Sequence, residues 1–182
     1  MSIPKLVFVS LLVGCLSALA QSAPDLRWQQ NPKLSWDDFK SQPPPHVAFP
    51  SAQSDTGFKF QLMCRNEMLD VDAYAFFSPS GSWVKPNQKT VDLLKHEQGH
   101  FDMAEVYALR LTKAIRDARI SCDDRARANA AGQNMVVEFQ QDWENAERQY
   151  EQDTQDGTDL VKQTTASNRI AADLAALKAY QQ

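Results

Sequence analysis

Histidine is nearly absent from this chain, with three residues in 182, and cysteine also stops at three. No two cysteines are close enough to form a Cys-x-x-Cys pair. That argues against a metal role for the cysteines. There is no internal repeat and no long low-complexity tract. Past residue 20, no stretch is apolar enough to span a bilayer. Excess positive charge is missing too. The formal net charge is −4, which argues against a nucleic-acid surface, and no polybasic patch suggests a membrane surface.

The long apolar run that does exist lies at the start. Lys5 precedes an apolar stretch from Leu6 to Leu19, and Ala18-Leu19-Ala20 closes it with a small-x-small pattern. Residues 1–20 therefore read as a signal peptide cleaved after Ala20. Leu12-Val13-Gly14-Cys15 also resembles a lipobox, which would make Cys15 a lipid anchor. Cleavage after Ala20 is the preferred reading, because the apolar run continues past Cys15. Residues 21–182 then form one domain in the periplasm or outside the cell, large enough for a real core. Cys64 and Cys122 remain in it. In an exported protein two such cysteines more often pair than stay free.

Two of the scarce histidines fall together, in Leu93-Leu94-Lys95-His96-Glu97-Gln98-Gly99-His100-Phe101-Asp102. On a helix, His96 and His100 lie one turn apart and leave the same face. Two nitrogens so placed can hold a zinc ion at about 2.0–2.1 Å from each. Glu97 can reach water at such an ion without being a ligand, which is the metal-protease reading of His-Glu-x-x-His. Leu93, Leu94, Phe101, Met103, Ala104, Tyr107, Ala108 and Leu111 form an apolar surface around the histidine face, as in a buried helix. Gly99 in mid-helix costs about 1 kcal/mol relative to alanine. It suits a close approach by substrate or backbone, or a helix-packing contact.

The remaining segments place this helix in an α+β fold. A small antiparallel sheet in the N-terminal half packs on a mostly helical C-terminal half. Leu34-Ser35-Trp36-Asp37-Asp38-Phe39 reads as one helical turn with a weak Ser35–Asp38 capping box, Trp36 and Phe39 inward. Gln42-Pro43-Pro44-Pro45-His46 is a loop. Phe58, Phe60 and Leu62 alternate with polar neighbours, Arg65-Asn66-Glu67 turns, and Leu69, Val71, Ala73 and Ala75 alternate again. The spacing predicts helices over about 90–119, 126–152 and 160–179. Gly157 would end the second, and Thr158 or Asp159 would cap the third.

Catalytic zinc generally takes three protein ligands. No histidine follows His100, so the third is a carboxylate or His46 from its proline-rich loop. The acidic segment from Glu151 to Asp159, at the turn between the second and third helices, can fold back on to the motif helix.

The residues 82–85 and 93–105, with the opening Leu34-Ser35-Trp36-Asp37-Asp38-Phe39, resemble the DUF922 family of predicted secreted zinc-dependent proteases. The resemblance implies a zincin-like fold with the active-site helix carrying His-Glu-x-x-His. It also implies Zn2+ as cofactor and a peptide or protein as substrate. Family members commonly carry Tyr-Asp-x-Glu-Thr-x-His-Gly downstream. Here the segment reads Tyr150-Glu151-Gln152-Asp153-Thr154-Gln155-Asp156-Gly157, with aspartate in place of histidine. The resemblance thus implies His96, His100 and Asp156 as ligands and Glu97 as the proton-transferring residue. The alternative is a catalytically degenerate binding module of the envelope on the same scaffold; a metal carrier would show more histidine. Tyr150 or Tyr107 is a candidate oxyanion donor, and Asp102 a candidate support for a ligand imidazole. The strand at 68–77 is a candidate edge for aligning a peptide.

Overall fold

The computed structural model describes residues 23–181. The signal peptide expected at 1–20, with Cys15, lies outside the described residues.

Strand β1 (Leu26–Arg27) and a 3₁₀ turn at Trp36–Asp38 open the described chain. Asp38 accepts hydrogen bonds from the Ser35 amide (2.7 Å) and hydroxyl (2.9 Å), so the predicted turn forms with its carboxylate facing back. Phe39 is buried, and Trp36 packs against the same core cluster. A short β2 (Ala52–Gln53) follows.

The hairpin forms where alternation places it. β3 (Thr56–Arg65) pairs antiparallel with β4 (Met68–Phe77), in a register from Arg65 opposite Met68 to Thr56 opposite Phe77. Asn66 and Glu67, with φ of 52° and 65°, make the two-residue turn that right-twisted strands favour. Leu69, Val71, Ala73, Ala75 and Phe77 are all buried on one face of β4.

β4 is not an edge. It lies between β1 and β3 in the three-stranded sheet. On its side away from β3, the Leu69 amide donates to the Ile120 carbonyl (2.8 Å) and the Ala75 amide to Glu105 (2.9 Å). The expectation of 68–77 as an edge for aligning a peptide therefore fails: β4 is the central strand of its sheet. β5 (Trp83–Val84) pairs instead with β2 in a second small sheet.

Three helices complete the α+β fold: α1 (Val91–Ala118), α2 (Arg125–Thr154) and α3 (Leu160–Ala176). Each starts on a side-chain cap, Thr90, Asp124 and Asp159 respectively, accepting from main-chain amides of the first turn. α2 ends earlier than a Gly157 cap implies. Gln155 is its left-handed C-cap, and Asp156 and Gly157 stay left-handed after it (φ 51°, 52° and 78°). This tight turn brings α3 back beside α1. α1 carries the apolar face expected of it: Phe101, Met103, Ala104, Ala108 and Leu111 are buried between the sheet and the other two helices.

Cys64 and Cys122 are joined in a disulfide, with Cα atoms 6.1 Å apart. It ties the end of β3 to the α1–α2 connection. Among the described residues no helix is long and apolar enough to cross a membrane.

Candidate metal centre

His96 and His100 leave α1 on its buried side, 2% and 6% exposed. Their Nε2 atoms stand 3.2 Å apart. The Glu151 carboxylate on α2 closes a triangle with them. One oxygen is 3.3 Å from His96 Nε2 and the other 3.3 Å from His100 Nε2. Tetrahedral donors at about 2.0–2.1 Å from one ion are separated by about 3.3–3.4 Å. The donor spacing therefore suits a small divalent cation, and among the described residues this is the group that could hold one.

The hydrogen bonds behind the triangle fix which nitrogen faces it. Gln163 on α3 donates through Nε2 to the Tyr150 hydroxyl (2.7 Å) and the Ser167 hydroxyl (3.1 Å). Its oxygen is thereby left for His96 Nδ1, 3.0 Å away. In the neutral ring Nδ1 then carries the proton, and Nε2 presents a lone pair. Glu147 accepts from His100 Nδ1 (2.5 Å) and gives that ring the same polarity. Two lone pairs and a carboxylate converging on one point need a positive charge between them. Glu151 Oε2 is buried without a hydrogen-bond partner, an orphan acceptor aimed into the cluster.

Without a cation, protons serve. Burial works against the charged form of His100, but the Glu147 and Glu151 carboxylates outweigh it and push it up to about 10. Burial also pushes Glu151 upward, yet the His100 and His96 rings hold it far below the usual carboxylate range. A metal would displace such protons, since ligands bind deprotonated.

Two glycines make room for the arrangement. Tyr150 lies flat on His96, ring centroids 4.9 Å apart and planes within 7°. Its hydroxyl donates to the His96 carbonyl (3.0 Å). A Cβ at Gly99 would overlap that hydroxyl and sit 2.8 Å from Cζ. Gly99 is thus a helix-packing contact with Tyr150 of α2. Gly157 presses against His96, where a Cβ would come within 2.8 Å of the ring's attachment carbons, and its φ of 78° already favours glycine.

Glu97 is 2% exposed and reaches the same cleft of about 270 Å³. Burial raises its carboxyl above the ordinary range. The Ser54 hydroxyl, just past β2, donates to its Oε2 (2.5 Å). Segment 50–54 forms the wall opposite α1.

The other predicted site residues distribute differently. Asp156 lines the cleft but stands outside the ligand triangle. It lies past the end of α2 in the left-handed turn, whereas Glu151 is still helical. Burial, and then the hydrogen bond and charge of Glu151, raise the Asp156 carboxyl. Tyr150 is not among the residues lining the cleft; its hydroxyl donates to the His96 carbonyl and accepts from Gln163. Tyr107 packs in the core under Arg110. Asp102 does not touch either imidazole. It accepts from Trp28 Nε1 (2.7 Å), Lys33 (2.9 Å) and Gln98 (2.8 Å), and the imidazoles are held by Glu147 and Gln163 instead. His46 is in its loop with φ 63°, away from the triangle.

Sequence reasoning had Glu151 within the candidate acidic segment, where the resemblance pointed to Asp156 instead; it missed Glu147, Gln163 and Ser54. One signal was available: Glu147 and Glu151 are spaced i, i+4, matching His96 and His100, so two one-turn pairs can face each other across a helix interface. Nothing local marks Gln163 or Ser54.

Residues 80–157 match the family model described as "Bacterial protein of unknown function (DUF922)". That span runs from the turn before β5 to Gly157 and includes all three triangle residues. No curated protein and no solved structure matches the chain.

Proposed function

We propose that this chain, whose residues 80–157 match the DUF922 family model, is an exported zinc-dependent peptidase with a zincin-like active-site helix. The observation that carries the reading is the triangle of two imidazole nitrogens and one carboxylate, with edges of 3.2 to 3.3 Å, beside a buried glutamate. His96, His100 and Glu151 would hold the ion. The chemistry that zinc would supply in their grip is a more acidic water and a polarised carbonyl.

The chain's own residues supply the rest. Glu97 takes the proton from the attacking water and returns it to the departing amine nitrogen. Its carboxyl, raised by burial, is better matched to proton transfer near neutral pH than an exposed glutamate. Ser54 binds one carboxylate oxygen and leaves the other for the cleft. Glu147 and Gln163 hold the imidazoles so that neither has to turn during the reaction.

The Lys85 amide donates to the Ser51 carbonyl (3.0 Å), which holds the β2 segment against β5 beside the cleft. Segment 50–54, which faces Glu97 across the cleft, is the wall along which an extended peptide would lie.

The purified protein is expected to contain about one zinc per chain and to hydrolyse a denatured protein substrate, with activity lost on chelation. Glu97→Gln should keep the metal and lose hydrolysis by at least a hundredfold. Zinc at full occupancy with no turnover on any peptide library would instead favour the non-catalytic envelope module. Full activity in Glu97→Gln would remove that residue from the mechanism.

A further inference from the structure

A second cavity, of about 340 Å³, opens between α1, α2 and α3 behind the candidate metal centre. It is within the range of small-molecule sites, about 300–1,000 Å³. Its floor is apolar: Met103, Val106 and Ile170 are buried there beside the Tyr150 ring. Its rim is charged, and unevenly so. Arg110 and Asp173 neutralise each other across 2.9 Å. Asp153 takes a hydrogen bond from Gln149 (2.8 Å). Lys162 and Arg169 are exposed at the mouth, two turns apart on one face of α3. Their side chains have no ion pair or hydrogen bond among the described residues. The metal cleft has the opposite character, with Glu97, Glu147, Glu151 and Asp156 in its lining and no lysine or arginine.

We propose that this cavity binds an amphipathic carboxylate, a molecule with an apolar chain and an anionic head. The chain lies on Met103, Val106 and Ile170, and the head sits between Lys162 and Arg169. The charge pattern selects this occupant. Two unpartnered cations outweigh the one anion at the mouth that lacks a basic partner, in a protein whose net charge is −4. An apolar floor adds affinity roughly in proportion to the area it removes from water, about 25 cal/mol per Å² before the costs of binding. The site does not depend on the peptidase reading: no metal ligand contributes to it. Tyr150 is shared with the centre, as the cavity wall on one side and the His96 support on the other.

The test is a titration of the metal-free protein with decanoate below its micellar concentration, followed by side-chain methyl NMR. Saturable one-to-one binding should shift Met103, Val106 and Ile170 methyls together. Decanol should bind at least tenfold more weakly. Lys162→Ala/Arg169→Ala should weaken decanoate by at least tenfold, and because both positions are exposed the fold should be kept. Thr165→Trp, at the rim, provides a second variant that narrows the mouth and should also weaken binding. Equal affinity for decanol, unchanged affinity in the double variant, or shifts at exposed apolar residues such as Val91 and Val161 would each overturn the assignment.

Discussion

Replacing Gly99 with alanine tests how the ligand helix is held. A Cβ there overlaps the Tyr150 hydroxyl and comes within 2.8 Å of Cζ. α1 and α2 are both long, so the ring is the group that must move. Moving it breaks the bond to the His96 carbonyl (3.0 Å) and the one from Gln163 (2.7 Å). Each buried polar group left unpaired costs about 1–3 kcal/mol. Alanine recovers about 1 kcal/mol of helix propensity. The net loss is about 1–5 kcal/mol, centred on about 3, and the central value corresponds to a fall in Tm of roughly 6–12 °C for a domain of this size. Tyr150→Phe removes the clashing oxygen and by itself costs about 1–2 kcal/mol. In the phenylalanine background only the ring-edge contact remains, so alanine at 99 should cost less than about 1 kcal/mol. A double-mutant cycle by urea denaturation should therefore show a coupling of about 2 kcal/mol. Equal costs for alanine in the two backgrounds would mean that Gly99 is not there to admit the tyrosine.

Other perturbations separate the parts of the site and the frame. Glu151→Gln should reduce zinc affinity by at least a hundredfold in a competition titration, whereas Asp156→Asn should change it by less than tenfold; the reverse order would restore Asp156 as third ligand. Asp70 responds to acid. Burial raises its carboxyl, but the hydrogen bond from Arg116 (2.9 Å), the Val71 amide and the Arg116 and Arg65 charges outweigh that and set it below 3.8. A carboxylate lowered on folding stabilises above its unfolded pKa and loses that contribution as pH falls through the folded value. Asp70→Asn should thus lower stability at neutral pH and flatten the decline below about pH 4, as measured by denaturation across pH. Cys64 and Cys122 close a loop with a sequence separation of 58, so the double serine variant should lose about 4 kcal/mol on the chain-entropy model, read from denaturation with the thiols blocked.

Much of the frame was legible because local rules and packing agree there. The hairpin follows from Phe58 to Ala75 alternating around a two-residue turn, and α1 from an apolar stripe with Thr90 in front of it. β4's central position was not legible. Its alternation looks like that of any half-buried strand, and the partners that occupy its second side, Leu26, Glu105 and Ile120, are distant in sequence. The end of α2 was misplaced for another reason. Gly157 is the residue that tolerates a positive φ at least cost, yet Gln155 and Asp156 precede it in the same conformation. Tertiary contact overrides that preference, since Gly157 is needed against His96.

The choice between Glu151 and Asp156 depends on the same turn. Sequence places both in one acidic run, and a flexible acidic loop would let either fold back to the histidines. The chain is not flexible there in the sense required. α2 continues through Thr154, which is wholly buried and donates to the Tyr150 carbonyl (2.7 Å). Helical geometry up to that point fixes Glu147 and Glu151 on one face, one turn apart, opposite His96 and His100 one turn apart on α1. The centre is therefore built from two helical pairs in register, with Tyr150 and Gly99 setting how closely the helices approach. A carboxylate beyond the helix end lies outside that register. Asp156 can alter the charge of the cleft from there, but the donor spacing is set by the helix interface.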